Sequence, residues 1–158
     1  MVIKHRGSMS GKIALKFFTV FALLLILDIG WIGVNLGRYQ QLVEKIQSSP
    51  LELNYVGACI SYSIIYTALV LFAIPYSEIA SDSEHTKIWT AFRNGGILGF
   101  CIYGIYDFTN LSIFANYDPM MAVIDTCWGT TLFTLVTYGS LILFPPDSRG
   151  DSDYYAKN

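Results

Sequence analysis

The chain of 158 residues is long enough for one domain, but its composition excludes an ordinary water-soluble one. Apolar residues make up 53% of the chain and charged residues only 14%, and the mean hydropathy is +0.45. The net charge of −2 argues against nucleic acid as a partner, and no His or Cys spacing indicates a metal site.

Four apolar stretches are each long enough to cross the hydrocarbon core of a bilayer, which takes ~20 helical residues. They predict an all-α fold, a polytopic membrane protein built as a bundle of four transmembrane helices. The expected spans are residues 13–36, 54–74, 91–114 and 121–144, within a membrane domain at 13–144. A basic N-terminal arm at 1–12 and an acidic C-terminal tail at 145–158 flank this domain.

The first apolar run is too long for a signal peptide and lacks a small-residue cleavage site, which predicts a retained anchor. Lys16 lies near its start, where a long side chain can reach the lipid headgroups. After this run, Tyr39, Leu42, Val43 and Ile46 recur at helical spacing. We interpret them as the apolar face of a short helix lying in the membrane interface.

Prolines and capping residues mark the expected helix boundaries. Ser49-Pro50, followed by Glu52, predicts the start of the second helix, and Pro75 predicts its end. Asp118-Pro119 predicts the start of the fourth helix in the same way.

Basic residues predict the orientation, because cytoplasmic loops carry an excess of Lys and Arg. Eight of the ten basic residues fall in the N-terminal segment up to Lys16, the loop after the second span with its flank, and the tail. The loops on the opposite side hold only Arg38 and Lys45. Both termini are therefore expected on the cytoplasmic side, or its topological equivalent.

Three carboxylates lie inside the expected spans: Asp28, Asp107 and Asp125. An Asp at the centre of a transmembrane helix costs ~2.5–3.5 kcal/mol, whereas each large apolar residue contributes only ~0.3–0.6 kcal/mol. Counting along the helices places all three at one level in the outer half of the membrane. We expect them to meet there, in a polar cluster that also contains Tyr106, Asn110 and Trp128.

The spacing Asp-x-x-Trp occurs twice, at Asp28–Trp31 and Asp125–Trp128. We interpret Trp31 as part of the aromatic belt at the outer interface, and Trp128 as a packed wall of the cluster whose indole N–H needs a partner. Gly33-x-x-x-Gly37 and Gly95-x-x-x-Gly99 match the small-residue pattern of close helix contacts. The cluster either joins the helices by hydrogen bonds or serves a ligand, a proton or a reaction.

The residues with these spacings resemble a known family. The set is Asp28-x-x-Trp31, Gly104-x-Tyr106-Asp107-x-Thr109-Asn110 and Asp125-x-x-Trp128-Gly129. It resembles the four-helix predicted membrane proteins of domain of unknown function 2177, over about Asp28 to Leu143. The resemblance implies the topology and the same polar residues, and an occurrence in bacteria and large double-stranded DNA viruses. It implies no activity, and the arm and tail do not align with it.

Three functions stay open. The first is a non-enzymatic membrane anchor or assembly component, in the internal membrane or capsid of a large DNA virus, contacting the lipid bilayer and other protein chains through the tails and the interfacial helix. The second is a small transporter or carrier that depends on the carboxylates. The third is an intramembrane lipid-modifying enzyme with one Asp as general acid or base. No nucleophile elbow, phosphate-binding loop or cofactor motif is present, so an enzyme is less favoured.

Overall fold

The computed structural model describes residues 6–80 and 84–145, and within them every regular element is helical. Helix α1 covers Arg6–Gln47, α2 covers Tyr55–Ala80, and α4 covers Pro119–Leu143. Helix α3 consists of Glu84–Ala91, a π-helical turn at Phe92–Gly96, and Ile97–Ile113. The predicted all-α membrane fold is confirmed. Residues 1–5 of the arm and 146–158 of the tail, with their expected protein contacts, fall outside the described residues, whereas the rest of the arm is helical and belongs to α1.

Three of the four helices are long and apolar enough to cross a membrane: α1 over Gly11–Gln47, α2 over Tyr55–Ala80, and α4 over Pro119–Leu143. Helix α3 is more polar as a whole, because its first part, Glu84–Gly96, carries charged and amide side chains, while Asp107 and Asn110 lie in its more apolar second part. It nevertheless makes the most extensive packing contact of the bundle, with α4.

Helix α1 differs most from expectation. Residues Tyr39–Gln47 continue it without a break, so they do not form a separate interfacial helix. No proline interrupts the chain here, and the apolar face packs inside the protein, with Leu42 buried. The amide of Asn116 also donates to the carbonyl of Lys45 at 3.2 Å. This segment is therefore packed against the bundle and bonded to the loop between α3 and α4.

The second helix begins at Tyr55, next to the expected start of the span at residue 54 and not at Ser49-Pro50, and it ends later than predicted. Residues 48–54 are not helical, and Asn54 is the N-cap, accepting from the Gly57 amide at 3.0 Å. Pro75 does not end the helix, which continues to Ala80. A π-helical turn at Leu69–Ala73 ends two residues before this proline. Such turns relieve the clash and the lost hydrogen bond that a proline brings into a helix.

The apolar core lies toward the end of the bundle where α4 finishes. Its buried members come from α1, α2 and α4. They are Val20, Leu24, Leu69, Ala73, Ile74, Leu132, Phe133 and Val136. Near this end Lys16 pairs with Glu78 of α2, so its ammonium has a protein partner. Most of the outer surface is apolar, as expected for helices that face lipid.

Helices α3 and α4 approach closely because glycines line their contact. A Cβ added at Gly99 would lie 2.2 Å from the carbonyl oxygen of Gly129, and one at Gly129 would lie 2.2 Å from the ring of Tyr103. Gly95 faces Thr137 and Phe133 equally closely. This contact fixes the α3 and α4 side chains of the polar cluster.

Candidate functional site

The three carboxylates face the interior of the bundle from α1, α3 and α4. Asp28 is 6% exposed, Asp107 1% and Asp125 9%. A buried carboxyl group is costly unless donors satisfy it. The partners of each group therefore define what the site can do.

Asp28 accepts hydrogen bonds from all three other helices. The Tyr62 hydroxyl of α2 donates to its Oδ2 at 2.8 Å. The Trp128 indole of α4 donates to its Oδ1 at 2.8 Å, and the Tyr103 hydroxyl of α3 lies 3.4 Å from the same oxygen. One carboxylate on α1 thus ties the four helices together.

Asp125 of α4 accepts from two residues of α1. The Tyr39 hydroxyl donates to its Oδ1 at 2.5 Å, and the Trp31 indole donates to the same oxygen at 3.3 Å. Trp31 and Trp128 also stack, with ring centroids 4.5 Å apart and planes 5° from parallel. Each helix therefore carries an Asp that binds the tryptophan of the other, and the two indoles lie face to face between them.

Asp107 has a different partner, in the loop between α3 and α4. The Tyr117 hydroxyl donates to its Oδ1 at 2.7 Å, while Oδ2 is buried with no hydrogen-bond partner in the described structure. Burial and this bond to Asp107 raise the pKa of Tyr117 above its ordinary value, so the phenol stays a donor. The Asn110 side chain lies beside the hydroxyls of Tyr106 and Tyr117.

The structure divides the six expected residues into two groups. Asp28, Trp128 and Asp125 form one, linked through the stacked tryptophans. Asp107, Asn110 and Tyr106 form the other, around Tyr117 and closer to the loop, and Tyr106 also lines a cavity together with Asp125. The carboxylates are not at one level either, since Asp125 binds Tyr39, eleven residues beyond Asp28 on α1. Tyr106 is 63% exposed and lies at the edge of the bundle.

Sequence reasoning missed most of the donors. The sequence predicts Trp31 in the interface belt, yet this residue is half-buried against Trp128. Tyr39 and Tyr62 carried no polar assignment, although both donate to a carboxylate. The repeated Asp-x-x-Trp spacing was the available signal, because two antiparallel helices with this spacing can bind each other reciprocally.

The arrangement suits hydrogen bonding better than catalysis. Its donors are tyrosine hydroxyls and indole N–H groups, and among the described residues no three His, Cys, Asp or Glu side chains could hold a metal ion. Cys59, Cys101 and Cys127 all face outward and are unpaired. The exception is Asp125, which also lines a cavity of about 380 Å³ between α2 and α3.

Comparison with known proteins identifies the family and no individual relative. The family model described as a predicted membrane protein, domain of unknown function 2177, matches residues 13–142. No curated protein and no solved structure matches the chain. The matched segment contains most of each of the four helices and every carboxylate of the site. The chain therefore belongs to the family of predicted membrane proteins of domain of unknown function 2177.

Proposed function

We propose that the protein is a non-enzymatic membrane component that assembles through α1, by packing this helix against α1 of a second copy. The observation that carries the proposal is a face of three glycines with no partner within the chain. A Cβ added at Gly30, Gly33 or Gly37 would meet nothing within 4 Å. We call these three residues the α1 glycine face.

The α1 glycine face points away from the core. Gly33 is nine residues from buried Leu24 and nine from buried Leu42. Nine residues are about two and a half turns, which places Gly33 on the opposite side of the helix. The spacing Gly33-x-x-x-Gly37 is the pattern that lets two membrane helices approach closely.

Glycine inside a helix is destabilising by roughly 0.5–1 kcal/mol relative to alanine. At Gly95, Gly99 and Gly129 close contact between α3 and α4 offsets this cost. Nothing in the described chain offsets it on α1. A second helix packed on the face would do so.

The segment expected to contact other chains as an interfacial helix is a weaker candidate. Its Leu42 is buried and its Val43 and Ile46 are half-buried by the protein itself. Little apolar surface is left there for a partner. The location that accompanies the proposal, the internal membrane of a large DNA virus, rests on the family resemblance alone.

Disulfide trapping in native membranes tests the proposal. Gly33→Cys, in a background with Cys59, Cys101 and Cys127 replaced by Ser, should give a disulfide-linked dimer on mild oxidation. The control keeps native Cys101 as the single thiol, which is exposed on α3 and should stay monomeric. A separate variant, Gly33→Leu, should abolish the dimer while the monomer folds normally, because the added side chain meets no neighbour.

Equal trapping at positions 33 and 101 would mean random collision and would overturn the proposal. So would a Gly33→Leu protein that keeps the oligomeric state of the natural chain in native mass spectrometry.

A carboxylate-dependent carrier is the second candidate, and the cavity that reaches Asp125 favours it. No observation favours the lipid-modifying enzyme over the carrier, because both would use Asp125 in this same cavity.

A further inference from the structure

We infer that the cavity between α2 and α3 is a binding site for a lipophilic organic cation, an ammonium or phosphonium group carried on an apolar body, with Asp125 as its counter-ion. The inference goes beyond the proposed assembly through α1, which uses another face of the bundle.

One oxygen of Asp125 is left for a ligand. Both hydrogen bonds to this carboxylate, from Tyr39 and Trp31, end on Oδ1. A carboxylate can accept about four hydrogen bonds, so Oδ2 has unused capacity. The residue is only 9% exposed, and it is among the residues that line the cavity. The Asp125 carboxylate thus lines a space large enough for a small molecule.

The cavity contains no positive charge of its own. Its other lining residues are neutral, and Asp125 is the single ionisable carboxylate among them. The basic side chains of Arg38 and Lys45 line a separate cavity beside the start of α4. An unpaired carboxylate in a low-dielectric site is costly, and a cation in the cavity would relieve that cost.

The walls suit an apolar body. Ile64 and Ile65 of α2 face Ile102 of α3 across the cavity, and the rings of Tyr103 and Tyr106 complete that side. Aromatic rings attract organic cations through their faces. Tyr103 is held by its hydroxyl bond to Asp28 and by an edge-on contact with Phe133, so its ring is preorganised.

The entrance faces the lipid and not the aqueous loops. Ile64 and Tyr106, at the rim, are 62% and 63% exposed. None of the residues of the outer half of α2, Tyr55–Ala68, is buried, so this half-helix leaves the gap beside α3 open. A membrane-soluble cation can therefore enter sideways. A zwitterionic phospholipid fits less well, because no basic residue lines the cavity to receive its phosphate.

Equilibrium binding of radiolabelled tetraphenylphosphonium to the purified full chain in phosphatidylcholine nanodiscs tests the site. We expect saturable binding near one cation per chain. Radiolabelled tetraphenylborate, an anion of the same shape tested in a separate binding experiment, should show no saturable binding. Asp125→Asn keeps an acceptor for Tyr39 and Trp31 and should weaken binding at least tenfold.

A second pair of variants keeps the test decisive if Asp125→Asn folds poorly. Ser61→Trp fills the cavity from the exposed side of α2 and should abolish binding, whereas Ser63→Trp, exposed on α2 outside this cavity, should leave it unchanged. Binding that survives Ser61→Trp, or equal binding of the borate, would overturn the inference. The disulfide test of the α1 glycine face is independent of either result.

Discussion

Asp28 shows how a single acidic residue can be accommodated inside a membrane bundle. Its two oxygens accept from Tyr62, Tyr103 and Trp128, so the carboxylate has one donor on each of the other helices. The stabilisation from each such bond is modest, since interhelical hydrogen bonds in membrane proteins contribute about 0.6 kcal/mol on average. Together, the three bonds fix the orientation of the four helices relative to one another around Asp28.

Replacing this acceptor should therefore destabilise the bundle measurably. Asp28→Ala removes three bonds and is expected to lower the free energy of unfolding by about 2 kcal/mol, at about 0.6 kcal/mol for each bond. Tyr62→Phe removes one bond and should cost about a third as much. Reversible unfolding in mixed micelles, followed by circular dichroism, measures both. An Asp28→Ala protein as stable as the natural chain would show that these bonds contribute nothing.

Asp107 differs from Asp28, because only one of its two carboxyl oxygens accepts a hydrogen bond. Depth and helical phase along the sequence indicated that it would be buried, and it is 1% exposed. The identity of its partner could not be predicted, because Tyr117 lies in a loop with no helical periodicity. Sequence patterns assign a residue to a face of its own helix. They do not give the side chain that a neighbouring segment places against that face.

At the scale of elements, hydrophobic length predicted which segments are helical better than where the helices end. Helix α1 was expected to stop near Leu36 because polar residues follow, yet its helix continues to Gln47. Polar residues end a hydrophobic stretch without ending a helix. Helix α2 continues past Pro75 because the π-helical turn before it accommodates the hydrogen bond that the proline cannot make. The amino-acid composition gives no sign of such a turn.

The same glycine spacing occurs on two helix surfaces, one packed within the chain and one without a neighbour in it. Gly95-x-x-x-Gly99 lies in the contact with α4, whereas Gly33-x-x-x-Gly37 has nothing within 4 Å. The motif therefore predicts the capacity for close approach, and only the three-dimensional arrangement shows whether the chain itself uses it.

The contact between α3 and α4 should tolerate no side chain at its centre. Gly99→Ala places a methyl group against the backbone of Gly129, which cannot rotate away, and should lower the free energy of unfolding by about 1–3 kcal/mol as other overpacked sites do. Gly57→Ala is the matched control, because its Cβ would make only ordinary contacts with Asn54 at 3.7 Å. It should be neutral or slightly stabilising. Comparable losses in both variants would argue against tight packing at Gly99.

At the scale of the whole molecule, the side of the membrane on which each loop and terminus lies depends on which helices cross the bilayer. Helix α3 is the decisive element, because its polar residues leave it outside the set of strongly apolar helices. If α2 and α3 both cross the bilayer, the loop after α1 and the loop after α3 lie on the same side. The basic residues then predict that both termini lie on the other side.

Thiol labelling with a membrane-impermeant maleimide should show this arrangement. In a background without native cysteines, Ser49→Cys and Ala115→Cys should react from the same side, and His5→Cys from the opposite side. Native Cys101 as the single thiol, lying within α3, should be protected and serves as the internal control. Labelling of positions 49 and 115 from opposite sides would rule out a crossing by α3.

The stacked indoles of Trp31 and Trp128 have a spectroscopic consequence. Two chromophores 4.5 Å apart and nearly parallel couple their electronic transitions, whereas the third tryptophan, Trp89, is 62% exposed at the other end of the bundle. The near-ultraviolet ellipticity of the protein therefore carries a component that exists only while α1 and α4 stay in register. Any change in the packing of α1 against α4, including one caused by a ligand in the cavity beside Asp125, will change that component. Near-ultraviolet circular dichroism therefore reports on the contact between these two helices without an added label.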